Sequence, residues 1–492
     1  MQPRRAALAS CAFRESAACA RVRQRLSASQ CCAINSLAPS SSGFGSFHGG
    51  NVDALYASAA GDQGAPPWVD PPALAPRDDL LPAAGAAALR LGPPAASLFC
   101  LDLARWVFVN HGAFGGAFKA AARYADRVRE VHEANPVAFI DRRLFRSIVA
   151  VVRRLARFTN ASPRNIVLVP NATTGINAVV KSVLPQQRLN QRVLCLDIGY
   201  ASVAKLLKQE TARGGLQLVT AGTPRPPNLS ADSIVAAVER ALDAVGEPFA
   251  LAVVDWVTSN TALKLPVERI AAACKQRGVP LLVDAAHALG PIAIDLTALG
   301  ADFVVANAHK HLCAPKGAAM LYVAERWQPV VRPLCTSHGA NAGFHSAFIW
   351  DGARDYAPAL AVAAALDVWE RVGVTRAREY MCAMRAAAVQ ALTSRWGTQA
   401  YAAPEMLSNM ALVALPANCA PDDGATPTES DAKALQDWLF HARAIESPVK
   451  AIDGKLYVRI TAHWYNGPED FVALADAVVS YLHKRDCKSY GD

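Results

Sequence analysis

The chain has 492 residues, of which 52% are hydrophobic, so it is long enough to bury a large core and to form a two-part globular unit with a tail. Its formal net charge is +9, but residues 1–50 hold six arginines and one glutamate, a net +5, and the remaining +4 is spread over the rest of the chain. A positive charge spread this sparsely argues against a nucleic-acid partner. No apolar run approaches the roughly 20 residues that a membrane-spanning helix needs. The twelve scattered cysteines argue against a disulfide framework or a metal site.

Two segments are predicted to precede the folded unit. Residues 1–50 are rich in Arg, Ser and Ala and almost lack acids, a composition typical of an organelle transit peptide, with the plastid as first destination, the mitochondrion as second and the cytoplasm as third. A disordered tail without an address is the alternative. Residues 51–96 are dominated by Ala, Pro and Gly and predict a disordered linker, because they bury too little apolar surface to offset chain entropy. We expect folded structure to begin near Ser97.

Helix and strand patterns then alternate. Residues 119–132 predict a helix, and residues 141–158 place apolar side chains at helical spacing on one face. Residues 165–169 predict a buried strand, and the turn 170–177 leads into the next helix. A helix start offers free backbone N–H groups and a partial positive charge, so this turn is a candidate anion site. Simple capping of the helix by Thr173 is the alternative.

The middle of the chain continues this α/β pattern. Short apolar runs at 192–197, 216–221 and 249–254 predict further buried strands, and residues 230–245 and 266–278 predict helices. Strands that alternate with helices are typical of a mainly parallel central sheet flanked by helices. The sequence therefore predicts an α/β fold.

Two polar residues follow buried strands in the stretch 280–317. The run 280–283 ends at Asp284, and the run 302–306 leads to Lys310. Open α/β sheets bind ligands beyond the carboxyl ends of their strands, so a carboxylate and a lysine are expected to face one crevice. Pyridoxal phosphate needs a lysine for its Schiff base and a carboxylate that keeps its ring nitrogen protonated. A surface lysine and a strand-end cap are the alternative on these two residues alone.

The same stretch contains Val-Asp-Ala-Ala-His-Ala-Leu-Gly at 283–290, Gly-Ala-Asp-Phe at 300–303, Asn-Ala-His-Lys at 307–310 and Ala-Pro-Lys-Gly at 314–317. These motifs resemble those of the class V aminotransferase-like group of fold-type I pyridoxal phosphate enzymes. The chain is most similar to the branch that holds isopenicillin N epimerase-like proteins and plant-type L-cysteine desulfhydrases. The resemblance implies an N-terminal arm and large cofactor-binding domain at 97–375 and a smaller C-terminal α+β domain at 376–486.

The resemblance also assigns roles to single residues. Lys310 would carry the cofactor, Asp284 would contact the ring nitrogen, and Arg459, in a C-terminal Arg-Ile-Thr motif, would clamp the substrate carboxylate with its planar fork. The alternatives are a surface ion pair for Arg459, a position in the core for Tyr200 and a loop role for residues 258–259. The other cofactor-binding residues that the resemblance implies are His287 at the ring hydroxyl, Tyr200 on the ring face, Ala172, Thr173, Asn307 and His309 at the phosphate, and Ser259 beside the cofactor.

Three positions depart from the pattern of the resembling family. Ala113 stands where Ser is more common, His311 stands where Trp often follows the lysine, and Ala353 stands where Thr is usual. Ala353 belongs to a loop that in dimeric relatives reaches the partner's phosphate, so the resemblance implies a homodimer. A hydroxyl contact at either alanine cannot exist.

The cofactor alone does not select a reaction, because its ring supports transamination, racemisation, elimination and desulfuration. Cysteine desulfurases of this group use a cysteine shortly before the carboxylate arginine, and no cysteine lies between Cys419 and Cys487. Cys313 is interpreted as a packed thiol. We therefore predict a pyridoxal phosphate-dependent lyase that acts on a small amino-acid substrate, cysteine or a related sulfur amino acid, by α,β-elimination and releases sulfide, ammonia and pyruvate from cysteine. An amino-acid epimerase and a cofactor-free scaffold are the alternatives.

Overall fold

The computed structural model describes residues 52, 55–56, 90–419 and 425–489, apart from the side chains of 484–489. The predicted transit peptide at 1–50 lies outside these residues, as does most of the predicted linker. The linker positions Val52, Leu55 and Tyr56 are helical, and Val52 and Tyr56 are buried in the main core. Gly92 N–H donates to the Trp464 carbonyl. At these positions the chain is packed, contrary to the expectation for a disordered linker.

The described residues form short strands and longer helices. The strands are β1 (Val107–Phe108), β2 (Ile166–Val169), β3 (Arg192–Leu196), β4 (Gln217–Ala221), β5 (Phe249–Asp255), β6 (Leu281–Asp284), β7 (Phe303–Asn307), β8 (Ala319–Val323), β9 (Met410–Ala414), β10 (Ile445–Glu446), β11 (Val449–Ile452) and β12 (Lys455–Thr461). The α-helices are α1 (His111–Phe114), α2 (Lys119–Ala134), α3 (Pro136–Phe139), α4 (Phe145–Phe158), α5 (Ala172–Val183), α6 (Ala201–Gly214), α7 (Ala231–Asp243), α8 (Val267–Gln276), α9 (Leu296–Leu299), α10 (Phe344–Ile349), α11 (Ala357–Leu360), α12 (Val362–Val372), α13 (Val374–Trp396), α14 (Glu429–Arg443) and α15 (Pro468–Ser489).

The large sheet has seven strands in the order β2-β8-β7-β6-β5-β3-β4. The run from β4 to β7 is parallel, whereas β8 is antiparallel to both β7 and β2. β3, β5, β6 and β7 are buried along their whole length, as expected for strands covered on both faces. The predicted α/β class with a mainly parallel sheet is confirmed, although the sequence pattern misses β8.

Helices cover both faces of this sheet. In β3, Leu194 and Leu196 belong to one hydrophobic cluster, and Val193 and Cys195 belong to another. This alternation arises because successive side chains of a strand point to opposite faces. α4, α7, α8 and α12 pack in the first cluster, and α5 and α6 pack in the second. Among the described helices, none is both long and apolar enough to cross a membrane.

A second, antiparallel sheet has the order β11-β12-β9. Val413, Val458 and Ile460 on one face pack in a cluster with α13, α14 and α15. Arg459 lies between Val458 and Ile460 on β12, so it projects from the opposite face. A short parallel pair, β1 with β10, ties the segment before α1 to this part of the chain. The predicted domain boundary at 375/376 lies beside the start of α13 and stays a prediction.

Candidate active site

Three adjacent parallel strands end in polar residues at one edge of the large sheet. β5 ends at Asp255, β6 at Asp284 and β7 at Asn307, and Asp255 pairs in register with Asp284. His287 and Lys310 lie in the turns that follow β6 and β7. Because the carboxyl ends of parallel strands share one edge, the fold brings these side chains to a common crevice.

Lys310 is half-buried and contacts His287. Its Nζ lies 3.1 Å from His287 Nε2. Burial lowers the pKa of Lys310 from 10.5 to about 8, the Asp284 charge opposes this shift, and the Arg459 charge adds to it. Burial also holds the pKa of His287 well below its ordinary value, so this ring is neutral. A lysine that loses its proton this readily can act as a nucleophile and a proton carrier.

Asp284 and Asp255 form a buried pair of carboxyl groups. Burial raises the pKa of Asp284, and a hydrogen bond of 2.9 Å from Ala286 N–H to Oδ1 partly offsets the rise. The pKa of Asp255 lies well above its ordinary value because of burial and then because of the charge on Asp284. Two neighbouring carboxyl groups in a buried site resist ionising together, and the larger rise in pKa at Asp255 favours a proton on Asp255 and a negative charge on Asp284. One negative charge at the end of β6 suits a protonated ring nitrogen.

The first turn of α5 lies beside the end of β7. Ala172 N–H donates to Asn307 Oδ1 at 2.9 Å, and Thr174 N–H donates to the capping Asn171 Oδ1 at 2.9 Å. Thr173 N–H has no hydrogen bond to a residue that the structure describes, so this group and the Thr173 hydroxyl can bind an anion. The predicted contact from Ala172 requires its N–H to be shared with Asn307.

His309 hydrogen-bonds to the backbone beside β8. Its Nδ1 lies 3.2 Å from the Ala318 carbonyl oxygen. Burial lowers the pKa of His309 to about 4, so the ring is neutral and Nδ1 carries the proton that is donated to this carbonyl. Nε2 then holds a lone pair, which repels an anion. The predicted phosphate contact from His309 therefore requires the ring to gain a second proton, which a nearby dianion favours.

Arg459 enters the site from the small sheet. Its Nη1 donates to the Ser259 carbonyl at 2.5 Å, and its Nη2 donates to Asn110 Oδ1 at 3.0 Å. Arg459 Nε is buried without a hydrogen-bond partner, and no carboxylate of the described residues forms an ion pair with this side chain. Burial lowers the pKa of Arg459 to about 10, so it remains charged at neutral pH. Such a guanidinium is suited to bind the carboxylate of a ligand.

The remaining predicted residues border this crevice. The ring of Tyr200 is 43% exposed and lies just before α6. The Thr258 hydroxyl bonds to the Thr261 hydroxyl at 2.6 Å, so Thr258 has the loop role that the sequence left open. Ser259 reaches the site through its carbonyl oxygen, which accepts the hydrogen bond from Arg459.

The segment between β1 and α2 crosses directly over the backbone of Lys310. α1 ends at Gly115, whose φ is +71°, and a Cβ at this position would lie 2.1 Å from the His309 carbonyl oxygen. Glycine alone tolerates both this φ and this approach. His111 Nε2 lies 3.3 Å from the Lys310 carbonyl oxygen. The crossing segment thus holds in place the backbone that carries the lysine.

A buried cluster of His111, His463 and Cys313 lies behind this crossing. Cys313 Sγ lies 3.4 Å from His111 Nε2 and 3.5 Å from His463 Nε2, spacings that would also suit the ligands of one metal ion. The two rings are stacked, however, with centroids 3.9 Å apart and planes inclined by 21°. A metal ion binds a histidine nitrogen near the ring plane, and planes stacked in this way cannot both contain one ion. Burial lowers the pKa of both histidines and raises that of the thiol, so the cluster is a neutral hydrogen-bonded network.

These groups fit the predicted pyridoxal phosphate. The buried Nδ1 of His287 has no hydrogen-bond partner in the part of the chain that the structure describes, so it can bond to a ring hydroxyl. Asp284 offers one charge for a ring nitrogen, Lys310 offers an amine for an aldehyde, and the helix start at Thr173 offers donors for a phosphate. Each polar group of the cofactor therefore has a counterpart in the crevice.

The sequence gives no role to three residues that the structure brings to this site. Asp255 ends a buried apolar run, which is the signal that identifies the other strand-end carboxylate. Asn110 and His111 lie shortly before Ala113 in the sequence, but they contact Arg459 and Lys310, which lie 349 and 199 residues away. No local pattern reveals contacts over such separations.

Residues 127–426 match the family model described as "Aminotransferase class-V". An Arabidopsis thaliana protein named "Probable L-cysteine desulfhydrase, chloroplastic" is 31% identical over 356 residues, which cover 67% of this chain and 72% of that protein. The isopenicillin N epimerase of Amycolatopsis lactamdurans is 30% identical over 369 residues, which cover 71% of this chain and 89% of that enzyme.

Solved structures are similar in fold. The cystine C-S lyase C-DES, in complex with its product cysteine persulfide, has a TM-score of 0.67 at 18% identity and covers 76% of this chain and 98% of its own. An apo cysteine desulfurase from Thermococcus onnurineus has a TM-score of 0.66 at 18% identity and covers 82% of this chain and 100% of its own. The family match spans more than half of the residues, and the architecture is that of fold type I. This chain therefore belongs to the class V aminotransferase family of pyridoxal phosphate enzymes.

Proposed function

We propose that this chain is a pyridoxal phosphate-dependent carbon–sulfur lyase that cleaves L-cysteine, or a related sulfur amino acid, by α,β-elimination. The observation that carries the proposal is a half-buried lysine of lowered pKa, Lys310, whose pKa responds to the charges of both Asp284 and Arg459. Two Arabidopsis thaliana proteins that are similar to this chain are named "Probable L-cysteine desulfhydrase, chloroplastic" and "L-cysteine desulfhydrase", and these names support the substrate class.

The cofactor supplies an electron-withdrawing ring that stabilises negative charge on the α-carbon of an amino acid. In our assignment Lys310 holds it covalently, Asp284 keeps the ring nitrogen protonated, and His287 contacts the ring hydroxyl. A flat aromatic ring suits a flat pyridine face, which is the role proposed for Tyr200. The other proposed contacts are Ala172, Thr173, Asn307 and His309 at the phosphate and Ser259 beside the ring.

Two protein groups act on the substrate. Arg459 binds the α-carboxylate, because among the described residues its Nε has no hydrogen-bond partner and its charge has no counter-ion. Lys310 would remove the α-proton, a task for which a pKa of about 8 is well matched.

The elimination balances with one water. The α-proton leaves to Lys310, the bond between the β-carbon and sulfur breaks, and the sulfur departs with that bond's electron pair and takes up a proton. One cysteine and one water then give one sulfide, one ammonia and one pyruvate. Persulfide transfer would need a cysteine on the loop before Arg459, and the sequence has none between Cys419 and Cys487.

Amino-acid epimerisation is the second candidate. The observation in its favour is the match that covers 89% of the isopenicillin N epimerase of Amycolatopsis lactamdurans. Epimerisation requires an acid on the cofactor face opposite to the lysine, and we assign no residue to that task.

Sulfide release separates the two candidates. Purified, cofactor-loaded protein is incubated with L-cysteine while sulfide, pyruvate and optical rotation are followed, with Lys310→Ala as the inactive control. We expect sulfide and pyruvate in equal amounts. Loss of optical rotation without sulfide would favour the epimerase, and an absence of both changes would contradict the lyase.

We also propose that the enzyme is a homodimer. The loop at 348–355 resembles one that reaches the partner's phosphate in dimeric relatives. Arg354 bonds to Asp351 at 2.6 Å and lies over the Tyr356 ring at 4.1 Å, so its own contacts hold the loop in shape. Light scattering of the active protein should give the mass of two chains, and a fully active monomer would contradict the proposal.

Plastid import of residues 1–50 is a further part of the proposal. The basic, Ser-rich composition supports it, as does the word "chloroplastic" in the name of the Arabidopsis thaliana relative. A fluorescent protein fused behind residues 1–60 should enter plastids, and a fusion that stays in the cytosol would refute the import.

We also propose the domains 97–375 and 376–486, which limited proteolysis near residue 375 would test.

A further inference from the structure

Arg459 belongs to a hydrogen-bonded chain that ends at a carboxylate. Asn110 Oδ1 accepts from Arg459 Nη2 at 3.0 Å, and Asn110 Nδ2 donates to Glu446 Oε1 at 3.1 Å. Arg459 and Asn110 are 4% and 8% exposed, and Glu446 is partly buried. The pairing of β1 with β10 creates this contact, because Phe108 pairs with Glu446 and Val109 N–H donates to the Glu446 carbonyl.

The chain of bonds sets the direction of the Asn110 amide. An asparagine side chain accepts at one end and donates at the other, whereas a guanidinium offers only donors and an ionised carboxylate only acceptors. Glu446 therefore holds Nδ2 and turns Oδ1 toward Arg459. If the amide reversed, Nδ2 would face Nη2 and the bond to Arg459 would be lost.

We propose that Glu446 is a positioning residue for the substrate α-carboxylate and acts through Asn110 on Arg459. The inference rests on the proposed role of Arg459 as the carboxylate clamp. The Ser259 carbonyl fixes Nη1 and Asn110 fixes Nη2, so the guanidinium plane has one orientation and its Nε–H stays available.

The Asn110 amide keeps the Glu446 carboxylate out of direct contact with Arg459. A carboxylate in direct contact with Arg459 would neutralise it and compete with the substrate. Glu446 lies one side chain further away, so it orients the guanidinium without acting as its counter-ion. Specificity for ligands that carry a carboxylate follows from this separation.

The test compares two ligands on the cofactor-loaded protein. 3-Mercaptopropionate has the carboxylate and thiol of cysteine but no amine, whereas cysteamine has the amine and thiol but no carboxylate. Glu446→Gln introduces an amide that can donate to Asn110 Oδ1 and reverse it. Calorimetry should show the dissociation constant of 3-mercaptopropionate rising roughly tenfold and that of cysteamine changing less than about twofold.

Further variants grade the effect. Glu446→Asp keeps an acceptor on a shorter side chain and should recover part of the affinity. Asn110→Asp gives Arg459 an internal counter-ion and should weaken 3-mercaptopropionate more strongly, by roughly 100-fold. Glu405 is an exposed acid in the same part of the chain, so Glu405→Gln is the matched control and should bind both ligands normally.

Two outcomes would overturn the proposal. One is unchanged binding of 3-mercaptopropionate to a Glu446→Gln variant whose thermal unfolding matches the wild type. The other is an equal loss for both ligands, which indicates general loosening of the site. Binding needs no turnover, so a wild-type protein that shows this carboxylate dependence yet releases no sulfide from L-cysteine would contradict the lyase and leave the positioning role intact.

Discussion

The lowered pKa of Lys310 makes its amine partly neutral near physiological pH. Only a neutral amine attacks an aldehyde, and the pKa of about 8 results chiefly from burial. The rate at which cofactor-free protein binds pyridoxal phosphate should therefore rise with pH, with its midpoint at about pH 8, and level off at higher pH. Visible absorbance after rapid mixing at a series of pH values measures this rate. A midpoint close to the ordinary 10.5 would contradict the burial that we describe.

Asp284 tests how a neighbouring negative charge changes the pKa of Lys310. Its negative charge raises the pKa of Lys310 against the effect of burial. Asp284→Asn removes that charge, so the midpoint of cofactor uptake should move to lower pH. Glu405→Gln, which changes an exposed acid, should leave the midpoint in place. An unchanged midpoint in Asp284→Asn would show that the carboxylate does not act on the lysine, and a raised midpoint would contradict the sign of the effect.

Arg459 tests the carboxylate clamp at the same scale. Arg459→Lys keeps the charge but loses the planar fork that binds two oxygens, and it leaves Asn110 with a poorer partner. We expect kcat/KM for L-cysteine to fall roughly 100-fold, on the order of 3 kcal/mol, mainly through KM. Arg395→Lys on the exposed surface of α13 is the control. A loss in kcat at constant KM would indicate a different role.

At the scale of elements, the loop around α1 is as important as the strands that carry the polar residues. Gly115→Ala would place a methyl group 2.1 Å from the His309 carbonyl oxygen at a φ that alanine disfavours. The loop must then lift away from Lys310, at a cost of about 2 kcal/mol or more in the free energy of unfolding. Chemical denaturation and cofactor affinity should both register the change. At Gly222 an added Cβ would meet no atom of the other described residues within 4 Å, apart from its two chain neighbours, so Gly222→Ala should be neutral. Equal behaviour of the two variants would contradict this account.

Elements with a strong local signal are predictable from the sequence. The apolar run 249–254 corresponds to β5, and the periodic segment 141–158 contains α4, because burial on both faces or on one helical face leaves a direct trace in the residue pattern. The sequence pattern misses β8 because its apolar residues follow the turn that contains Lys310, with no helix in between to mark the start of a new strand. Its antiparallel pairing with β7 depends on tertiary contacts rather than on a local pattern.

In the candidate site, likewise, the sequence predicts the residues that have a local signal and misses the contacts that depend on the fold. The sequence predicts that Asp284 and Lys310 face one crevice because each follows a strand, and strand ends share an edge in parallel sheets. The bond of Asn110 to Glu446 is not found, because 336 residues separate the two and only the β1–β10 pairing joins them. The protonation of His309 is equally hidden, since it depends on burial and on one backbone carbonyl.

At the scale of the whole molecule, a short segment near the N-terminus is part of the core. Val52 and Tyr56 are 1% and 7% exposed, and Tyr56 stacks on His345 with centroids 3.8 Å apart. Arg153 on α4 also donates to the Leu55 carbonyl at 2.8 Å. The folded enzyme therefore includes residues that composition alone assigns to a linker.

Truncation tests this packing. A chain that begins at Asn51 keeps both core residues, whereas a chain that begins at Gly61 lacks them. We expect the shorter chain to lose about 2–5 kcal/mol of unfolding free energy relative to the longer one, from the buried side chains of Val52 and Tyr56. Denaturant titration of both proteins measures the difference. Equal stabilities would show that the segment does not contribute to the core.

The covalent link between cofactor and protein tests the account most directly. The protein is loaded with pyridoxal phosphate, reduced with borohydride, digested and analysed by mass spectrometry, with Lys310→Ala treated in parallel. We predict a phosphopyridoxyl group on the peptide that contains Lys310 and none in the variant. A protein that stays colourless and unlabelled, or a label on Lys316 in place of Lys310, would contradict the assignment of the active site.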